Sequence, residues 1–270
     1  MQRRKARTAA AATLVVALGM GTLLTGSAPG GADAGAVAGA KADVRPQSTG
    51  CAVTFTNPGP PAMTACVSAH GNINQIDYTM FGQPPNHIFT EGYCLRDTGT
   101  GATYYDAGNA EAGWLAASQS STSTTATTTR TTTDLRFTLT QNVFFKYGSR
   151  MVLVGNLIKN NDSVARNVRF DRAFDGDING SPGSDVYDRA GASVIAQQSD
   201  ALASTLLVNP LLAAAVGVST ETNWALSRST CQHTFESIPT APGDYVGINQ
   251  GGFTIAPGAT VNYRIGYRVL

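Results

Sequence analysis

Apolar and polar residues alternate in short runs along most of the chain after Cys51, and Gly, Pro and Asn separate the runs. The last run is the clearest, because Tyr263, Ile265 and Tyr267 alternate with Arg264 and Gly266 between positions 260 and 270. A period of two places alternate side chains on opposite faces of a strand. The pattern therefore predicts a half-buried β-strand here and a chain built largely from short strands and turns.

Residues 135–175 predict three consecutive strands, at 135–145, 150–159 and 164–174. Polar turns at 146–149 and 160–163 separate them. Strands joined by tight polar turns usually pair with their neighbours in sequence. We therefore expect a three-stranded antiparallel meander.

Shorter β-prone runs lie at 53–56, 63–66, 76–81, 87–95, 102–106 and 252–256. The segment 118–133 holds 13 Ser or Thr among 16 residues, which fits either a solvated linker or Thr-rich edge strands. Alternation resumes directly afterwards at Leu135, Phe137 and Leu139, so we favour a tract that enters a strand.

One apolar segment, 201–218, departs from the alternating pattern. Ser199-Asp200 is a possible helix N-cap, and Pro210 interrupts the run. The interruption and the polar residues within the run argue against a membrane-inserting hairpin. We expect a short helical or apolar insertion near 200–218, as a helix pair or as buried strands.

Together these elements predict one antiparallel β-sandwich domain over 51–270. Its buried residues should include Val152, Val154, Val168, Tyr263 and Ile265. Residues 158–168 (Ile-Lys-Asn-Asn-Asp-Ser-Val-Ala-Arg-Asn-Val) and 257–261 (Pro-Gly-Ala-Thr-Val) resemble Ig-like and supersandwich β-modules of bacterial exported proteins. The resemblance rests on turns, so it implies the fold and no activity.

The N-terminus has the order of a secretory signal peptide. Four positive charges precede an apolar run at 9–24, and small-residue sites follow at Ala34 and Ala40. The run is shorter than the roughly 20 residues that a spanning helix needs. We expect a signal peptide at 1–34, with cleavage as late as residue 40, a flexible mature N-terminus at 35–50, and a secreted protein without a stable membrane span.

Charge excludes one class of partner. Only 14% of the residues are charged and the chain has four lysines; beyond residue 34 it carries 15 positive and 17 negative side chains. Nucleic-acid binding needs a basic surface that such a chain lacks. Hydrophobic residues make up 42% of the sequence, enough for a sizeable core.

The four cysteines all lie in the expected mature chain, and none of their spacings is that of a redox or zinc motif. Two disulfides are therefore expected, with three possible pairings. We favour Cys51–Cys66, because these residues flank two strands around a turn, and this leaves Cys94–Cys231.

Sequence motifs of catalysis are scarce. Asp97-Thr98-Gly99 matches the core of an aspartic-protease triplet but occurs once, and turn chemistry explains it. The strongest chemical signal is a calcium-loop pattern with oxygen ligands at Asp175, Asp177 and Asn179, a turn at Gly180, and Asp185 beyond it. Position 12 of that loop is Val186, so it is not an EF-hand.

Two functions remain open from the sequence. The first is a non-catalytic extracellular module that binds carbohydrate or a cell-envelope component, with Ca²⁺ as the candidate stabilising ion. The alternative is a secreted glycosidase or polysaccharide lyase. It would use scattered carboxylates or a His/Tyr pair, from a set comprising Glu91, Asp106, Asp171, Asp175, His70, His87, His233 and Tyr93. Trp114 and Trp224 are candidate sugar-stacking residues, although aromatic side chains in a sandwich more often fill the core.

Overall fold

The computed structural model describes residues 50–57, 59, 62–79, 88, 90–107, 110–146, 148, 150–176, 185–190, 193–198, 205–210, 215–236 and 245–269. All of them belong to one compact unit, Asp43–Leu270. The expected signal peptide lies outside these residues. Within them, no helix has the length and hydrophobicity that a membrane crossing requires.

This part of the chain forms 17 strands and one short helix, numbered here in chain order. The elements are β1 Val53–Asn57, β2 Ala62–Val67, β3 Ile73–Thr79, β4 Thr90–Asp97, β5 Thr103–Ala107, β6 Ala110–Ala112, β7 Ser118–Ser121, β8 Thr125–Thr131, β9 Phe137–Phe145, β10 Met151–Asn160, β11 Arg166–Asp175, β12 Asp185–Ala190, β13 Ser193–Gln198, β14 Thr205–Pro210, β15 Ala215–Thr220, α1 Glu221–Ser227, β16 Tyr245–Ile255 and β17 Thr260–Val269.

The strands form three antiparallel sheets. A three-stranded sheet has the order β1-β2-β3, a six-stranded sheet β15-β16-β11-β4-β5-β6, and an eight-stranded sheet β12-β13-β14-β17-β10-β9-β8-β7. The predicted class, an antiparallel β-sandwich, is confirmed. Strands of this kind bury one face and leave the other to solvent, which explains the alternating sequence pattern.

Alternate residues of the central strands fill one main core. The five residues expected inside are all at most 2% exposed. On β17 the buried residues Tyr263, Ile265, Tyr267 and Val269 alternate with exposed Arg264 and Arg268. The period-two pattern is therefore a reliable guide to which face of each strand meets the core.

The expected meander over 135–175 is wrong in its third strand. β9 and β10 pair as predicted, but β11 crosses the core and lies between β16 and β4 in the six-stranded sheet. The turn after β10 thus changes sheets instead of forming a hairpin. A hairpin turn and a sheet-changing turn have the same polar sequence pattern, because sequence spacing does not specify which strand the next one pairs with.

Asn160 holds this sheet-changing turn. Its buried amide Nδ2 donates to the carbonyl oxygens of Val164 (2.8 Å), Ile255 (2.9 Å) and Ala256 (3.3 Å). Its backbone carbonyl accepts from Gly258 N at 2.9 Å. Asn160 therefore joins the two turns, 158–168 and 257–261, that carry the resemblance to supersandwich modules.

The apolar insertion is strand where it is described. Residues 205–210 form β14 in the eight-stranded sheet and residues 215–220 form β15 in the six-stranded sheet, so of the two expected alternatives the strands are observed and the helix pair is not. The Ser/Thr-rich tract forms β7 and β8, as favoured above. The short helix α1 was not expected; it starts where the Thr220 hydroxyl accepts from Asn223 N and buries Trp224.

Replacing Asn160 with Ala should lower the free energy of unfolding by about 3 kcal/mol, because it removes the donor of the buried Ile255 carbonyl and of the partly buried Val164 and Ala256 carbonyls. Urea unfolding of the purified protein measures this loss. The matched control is Asn161→Ala: the exposed Asn161 donates to Leu135 O and Thr138 Oγ1, so the cost should stay within about 1 kcal/mol. Equal losses in the two variants would contradict the assigned role.

Candidate functional site

A fully buried ion pair lies between the two large sheets. Arg172 of β11 donates from Nε to Glu91 Oε1 (2.5 Å) and from Nη2 to Glu91 Oε2 (2.7 Å). Both side chains have zero exposure. The Tyr267 hydroxyl donates to Glu91 Oε1 at 2.7 Å. Despite the opposing effect of burial, the charge of Glu91 raises the pKa of Arg172, so the guanidinium stays protonated.

This pair reaches every sheet of the structure. Arg172 also donates to Asn156 Oδ1 on β10 (3.0 Å) and to the Gly71 carbonyl (3.3 Å), while Glu91 Oε2 accepts from Ile73 N (2.8 Å). Gln141, in the amide orientation that satisfies both of its ends, accepts from Arg172 and donates to the His70 carbonyl. The turn between β2 and β3 is thus fixed against both large sheets.

A second buried cluster adjoins the first and comprises His70, Asp106, Glu111 and Arg130. Asp106 Oδ2 lies 2.6 Å from His70 Nδ1 and 2.5 Å from Arg130 Nη1. Glu111 Oε2 lies 3.1 Å from His70 Nδ1 and 2.9 Å from Arg130 Nη2. Glu111 is the exposed member, at 42%, whereas the other three side chains are at most 7% exposed.

Local geometry explains why the chain folds this way around His70. The Ser68 hydroxyl accepts from the backbone N–H groups of His70 and Asn72, which closes the turn. Gly71 has φ +88°, and a Cβ there would lie 2.1 Å from an atom of the Gln141 side-chain amide, so the position requires glycine. Burial alone would raise the pKa of Asp106, but His70 and Arg130 outweigh it and hold that pKa below its usual range.

His70, Asp106 and Glu111 form a His/Asp/Glu group whose ligand atoms lie close enough to hold a metal ion. Arg130 already donates to both carboxylates, so its guanidinium supplies the positive charge that the group needs. Calcium prefers six to eight oxygen ligands, and an imidazole nitrogen is not among them. This group is therefore an ion-pair cluster that does not fit calcium.

A third polar group lies on the other face of the six-stranded sheet. His233 Nε2 lies 3.2 Å from Asp171 Oδ2, and His233 Nδ1 lies 2.9 Å from the Ser227 hydroxyl. The disulfide Cys94–Cys231 fixes this arrangement, because Cys94 is the cross-strand partner of Asp171 and Cys231 precedes His233 by two residues. Together with Cys51–Cys66, it matches the pairing favoured from the sequence.

A Ser–His–Asp arrangement suggests an activated serine nucleophile, but here the histidine and the aspartate are not accessible to a substrate. The side chains of His233 and Asp171 are 2% and 1% exposed, and the adjoining cavity has room for about one water molecule. The Ser227 hydroxyl is also within hydrogen-bond distance of the Trp224 carbonyl, a usual contact for serine in a last helical turn. We therefore assign a structural role to these three residues: they hold α1 and the segment after it on the sheet.

The carboxylates considered for acid–base chemistry do not converge on a solvent-exposed pair. Glu91, Asp106 and Asp171 are all buried, and they contact Arg172, Arg130 and His233 respectively. Asp97 Oδ1 accepts from Gly99 N and Thr100 N, so the Asp-Thr-Gly triplet is a turn, as expected. The candidate stacking residues Trp114 and Trp224 belong to the protein interior, at 8% and 4% exposure.

The expected calcium residues are only partly described. Asp175 ends β11 and Asp185 begins β12, while Asp177 and Asn179 lie outside the described residues, as does His87. The backbone N–H of Gly176 donates to the Tyr187 hydroxyl at 3.0 Å, which brings the two ends of the intervening loop together.

A solvent-accessible groove lies on the face of the eight-stranded sheet that points away from the core, called the outer face below. A groove of about 350 Å³ there is lined by Asn142, Phe144, Leu153, Val154, Gly155, Leu157, Asn262 and Arg264. Phe144 is 47% exposed and also borders a shallower depression with Thr124, Thr125 and Lys146. A groove of this size accommodates a small ligand.

Strand register places polar groups around a glycine floor in this groove. Gly155 pairs with Asn142 on one side and Arg264 on the other. Asn142 Oδ1 accepts from the Thr127 hydroxyl at 2.9 Å, which leaves its Nδ2 available to donate. Asn262 Oδ1 is buried and has no hydrogen-bond partner among the described residues. Buried acceptors are normally paired, so this oxygen is an unsatisfied polar atom close to the Gly155 floor.

Sequence reasoning missed the groove. Alternation along each strand does show that Asn142, Asn262 and Arg264 point outward. However, Asn142 and Arg264 are more than 100 positions apart, and only strand register brings them to the same glycine.

No protein-family model matches the sequence, and no curated protein matches it. Among solved structures, the fold is similar to a bacterial glucoamylase complexed with acarbose, with a TM-score of 0.57 and 11% identity over 82% of this chain. The chain covers 32% of the length of that enzyme. A putative aldose 1-epimerase from Escherichia coli K12 (TM-score 0.43, 10% identity) matches over 81% of this chain and 99% of its own. At this identity the likeness to the glucoamylase shows the sandwich fold alone.

Burial raises the pKa of Asp171, although His233 and Gln250 oppose the effect. A raised folded-state pKa means that the ionised carboxylate costs stability at neutral pH, and that the cost disappears as pH falls through that pKa. Asp171→Asn should therefore raise the free energy of unfolding at pH 7, by about 1.4 kcal/mol for each pH unit of the raised pKa. Urea unfolding from pH 7 down to pH 3 should show the gain shrinking.

The control for Asp171→Asn is Asp162→Asn. Asp162 is hydrogen-bonded to Arg166, which holds its pKa below the usual range, so its replacement should not stabilise the protein at any pH. A destabilised Asp171→Asn variant at pH 7 would show that the carboxylate contributes more than its burial costs.

Proposed function

We propose that this protein binds a glycan in the groove on the outer face of the eight-stranded sheet, as a non-catalytic module. The observation that carries the proposal is that the exposed ring of Phe144, the amide of Asn142 and the unpartnered Asn262 Oδ1 line one groove. An aromatic ring offers an apolar face for a sugar ring, and amides donate to and accept from sugar hydroxyls.

The lining of the groove supports binding in preference to cleavage. Its residues include two amides, one guanidinium and one aromatic ring, but no carboxylate or imidazole among those described. Hydrolysis of a glycosidic bond usually requires a pair of carboxyl groups on either side of it. The fold likeness to a glucoamylase complexed with acarbose agrees with a carbohydrate ligand only at the level of a broad class.

We further propose that the protein is exported and that Ca²⁺ stabilises the loop between β11 and β12. Two disulfides suit an oxidising, extracellular compartment. The contact between Gly176 and Tyr187 supports a closed loop, in which Asp175, Asp177, Asn179 and Asp185 would supply oxygen ligands.

Filling the groove should abolish glycan binding without unfolding the protein. In a Gly155→Leu variant the new Cβ would lie 3.7 Å from Asn262 Oδ1 and 3.9 Å from Asn142 O, which are ordinary contacts. The rest of the side chain would occupy the groove, and affinity should fall at least tenfold. A glycan array identifies the ligand, and calorimetry on the best hit measures the change.

Gly252→Leu is the matched control, because Gly252 lies on β16 in the other large sheet and a Cβ added there would have no atom within 4 Å. Its glycan affinity should equal that of the parent protein. Unchanged binding by a folded Gly155→Leu variant would place the ligand elsewhere.

Calcium should raise the melting temperature of chelator-treated protein, because an ion that binds only the folded state stabilises it by about 2.7 kcal/mol at a hundred times its dissociation constant. Asp177→Ala should remove the gain and leave the metal-free melting temperature nearly unchanged. A scan in millimolar Ca²⁺ tests this, and no shift for the parent protein would make the loop an ordinary polar turn.

A further inference from the structure

Five neighbouring strands of the outer face carry positive but no negative side chains. The five adjacent strands β7, β8, β9, β10 and β17 contain no Asp or Glu. Three cationic side chains are exposed there, namely Lys159, Arg264 and Arg268. By contrast, the buried Arg130 and Arg172 of the protein interior both bond carboxylates. Over these five strands the outer face is therefore locally cationic, although the whole chain is nearly neutral; the aspartates of the same sheet, Asp185 and Asp188, lie on β12 at its far edge.

Arg264 is the cation that lines the groove. No carboxylate forms an ion pair with it among the described residues, and its cross-strand neighbour Gly155 has no side chain to cover it. Asn142 lies on the other side of Gly155, so it is two strand spacings, or about 10 Å, from Arg264. This leaves a gap about one sugar ring wide, with hydrogen-bond donors on both sides and the acceptor Asn262 Oδ1 close to its glycine floor.

We propose that the glycan is acidic and that one of its anionic groups binds above Gly155, between the Arg264 guanidinium and the Asn142 amide. A guanidinium presents a planar fork of donors that matches carboxylate and sulfate oxygens. Asn142 Nδ2 adds a donor from the opposite side, since the Thr127 hydroxyl occupies its Oδ1.

The inference rests on the proposed glycan binding and adds the chemical class of the ligand. The test compares a uronic-acid oligosaccharide with the same oligosaccharide after its carboxylates have been reduced to primary alcohols, and with a sulfated form of the reduced sugar. Calorimetry should show at least tenfold tighter binding of either acidic form, and this preference should weaken as salt is added. The carboxylate and sulfate arms identify which anionic group the site prefers.

Arg264→Gln should remove most of the preference while the reduced, neutral oligosaccharide still binds. Arg268→Gln is the control, because Arg268 is exposed on the same strand and face but does not line the groove. It should retain the preference. If both variants lost the preference equally, the acidic sugar would be attracted by the overall positive charge of the face, and the proposed subsite would be overturned. Equal affinity of the parent protein for acidic and neutral sugars would overturn the inference and leave the proposed function intact. If the parent protein bound no sugar, both the inference and the proposed function would be contradicted.

Discussion

The fold depends on one buried ion pair, Arg172 with Glu91. Two charges removed from water are costly unless each is satisfied, and here Tyr267, Asn156 and a backbone N–H complete the set. The pair itself belongs to the six-stranded sheet and these partners come from the other two sheets, so the pair is satisfied only when the three sheets are assembled. Breaking a pair of this kind by removing one partner leaves an uncompensated charge inside the core, which makes this contact a requirement of the architecture.

Burial also distinguishes the polar side chains that hold the fold together from those that a ligand can reach. The buried carboxylates Glu91, Asp106 and Asp171 had the residue types of acid–base catalysis, but each contacts a partner inside the protein: Arg172, Arg130 and His233 respectively. The polar groups left open lie on the opposite face of the eight-stranded sheet and carry donors and acceptors without carboxylates. Burial, more than residue type, therefore decides which polar side chains can meet a ligand.

The sequence predicted the fold class, most strands and the buried faces, because a period of two is a local property that each strand carries by itself. Val152 and Tyr263, for instance, could be placed inside without knowing their partners. The position of β11 could not be predicted, because a polar turn of the same composition serves for a hairpin or for a crossing between sheets. The groove was missed for a related reason: Asn142, Gly155 and Arg264 become neighbours only through the register of three strands.

The disulfide Cys94–Cys231 shows how a covalent cross-link between distant parts of the sequence adds to packing at the edge of this fold. The helix α1 has only seven residues, too few to be stable by itself, and it places Trp224 in a small secondary core. The disulfide, the contact of His233 with Asp171, and the close approach of Phe235 to Gly217 each hold the same segment on the sheet. The Ser–His–Asp chain is a consequence of that attachment, so its resemblance to a catalytic triad follows from covering a sheet with a short polar segment.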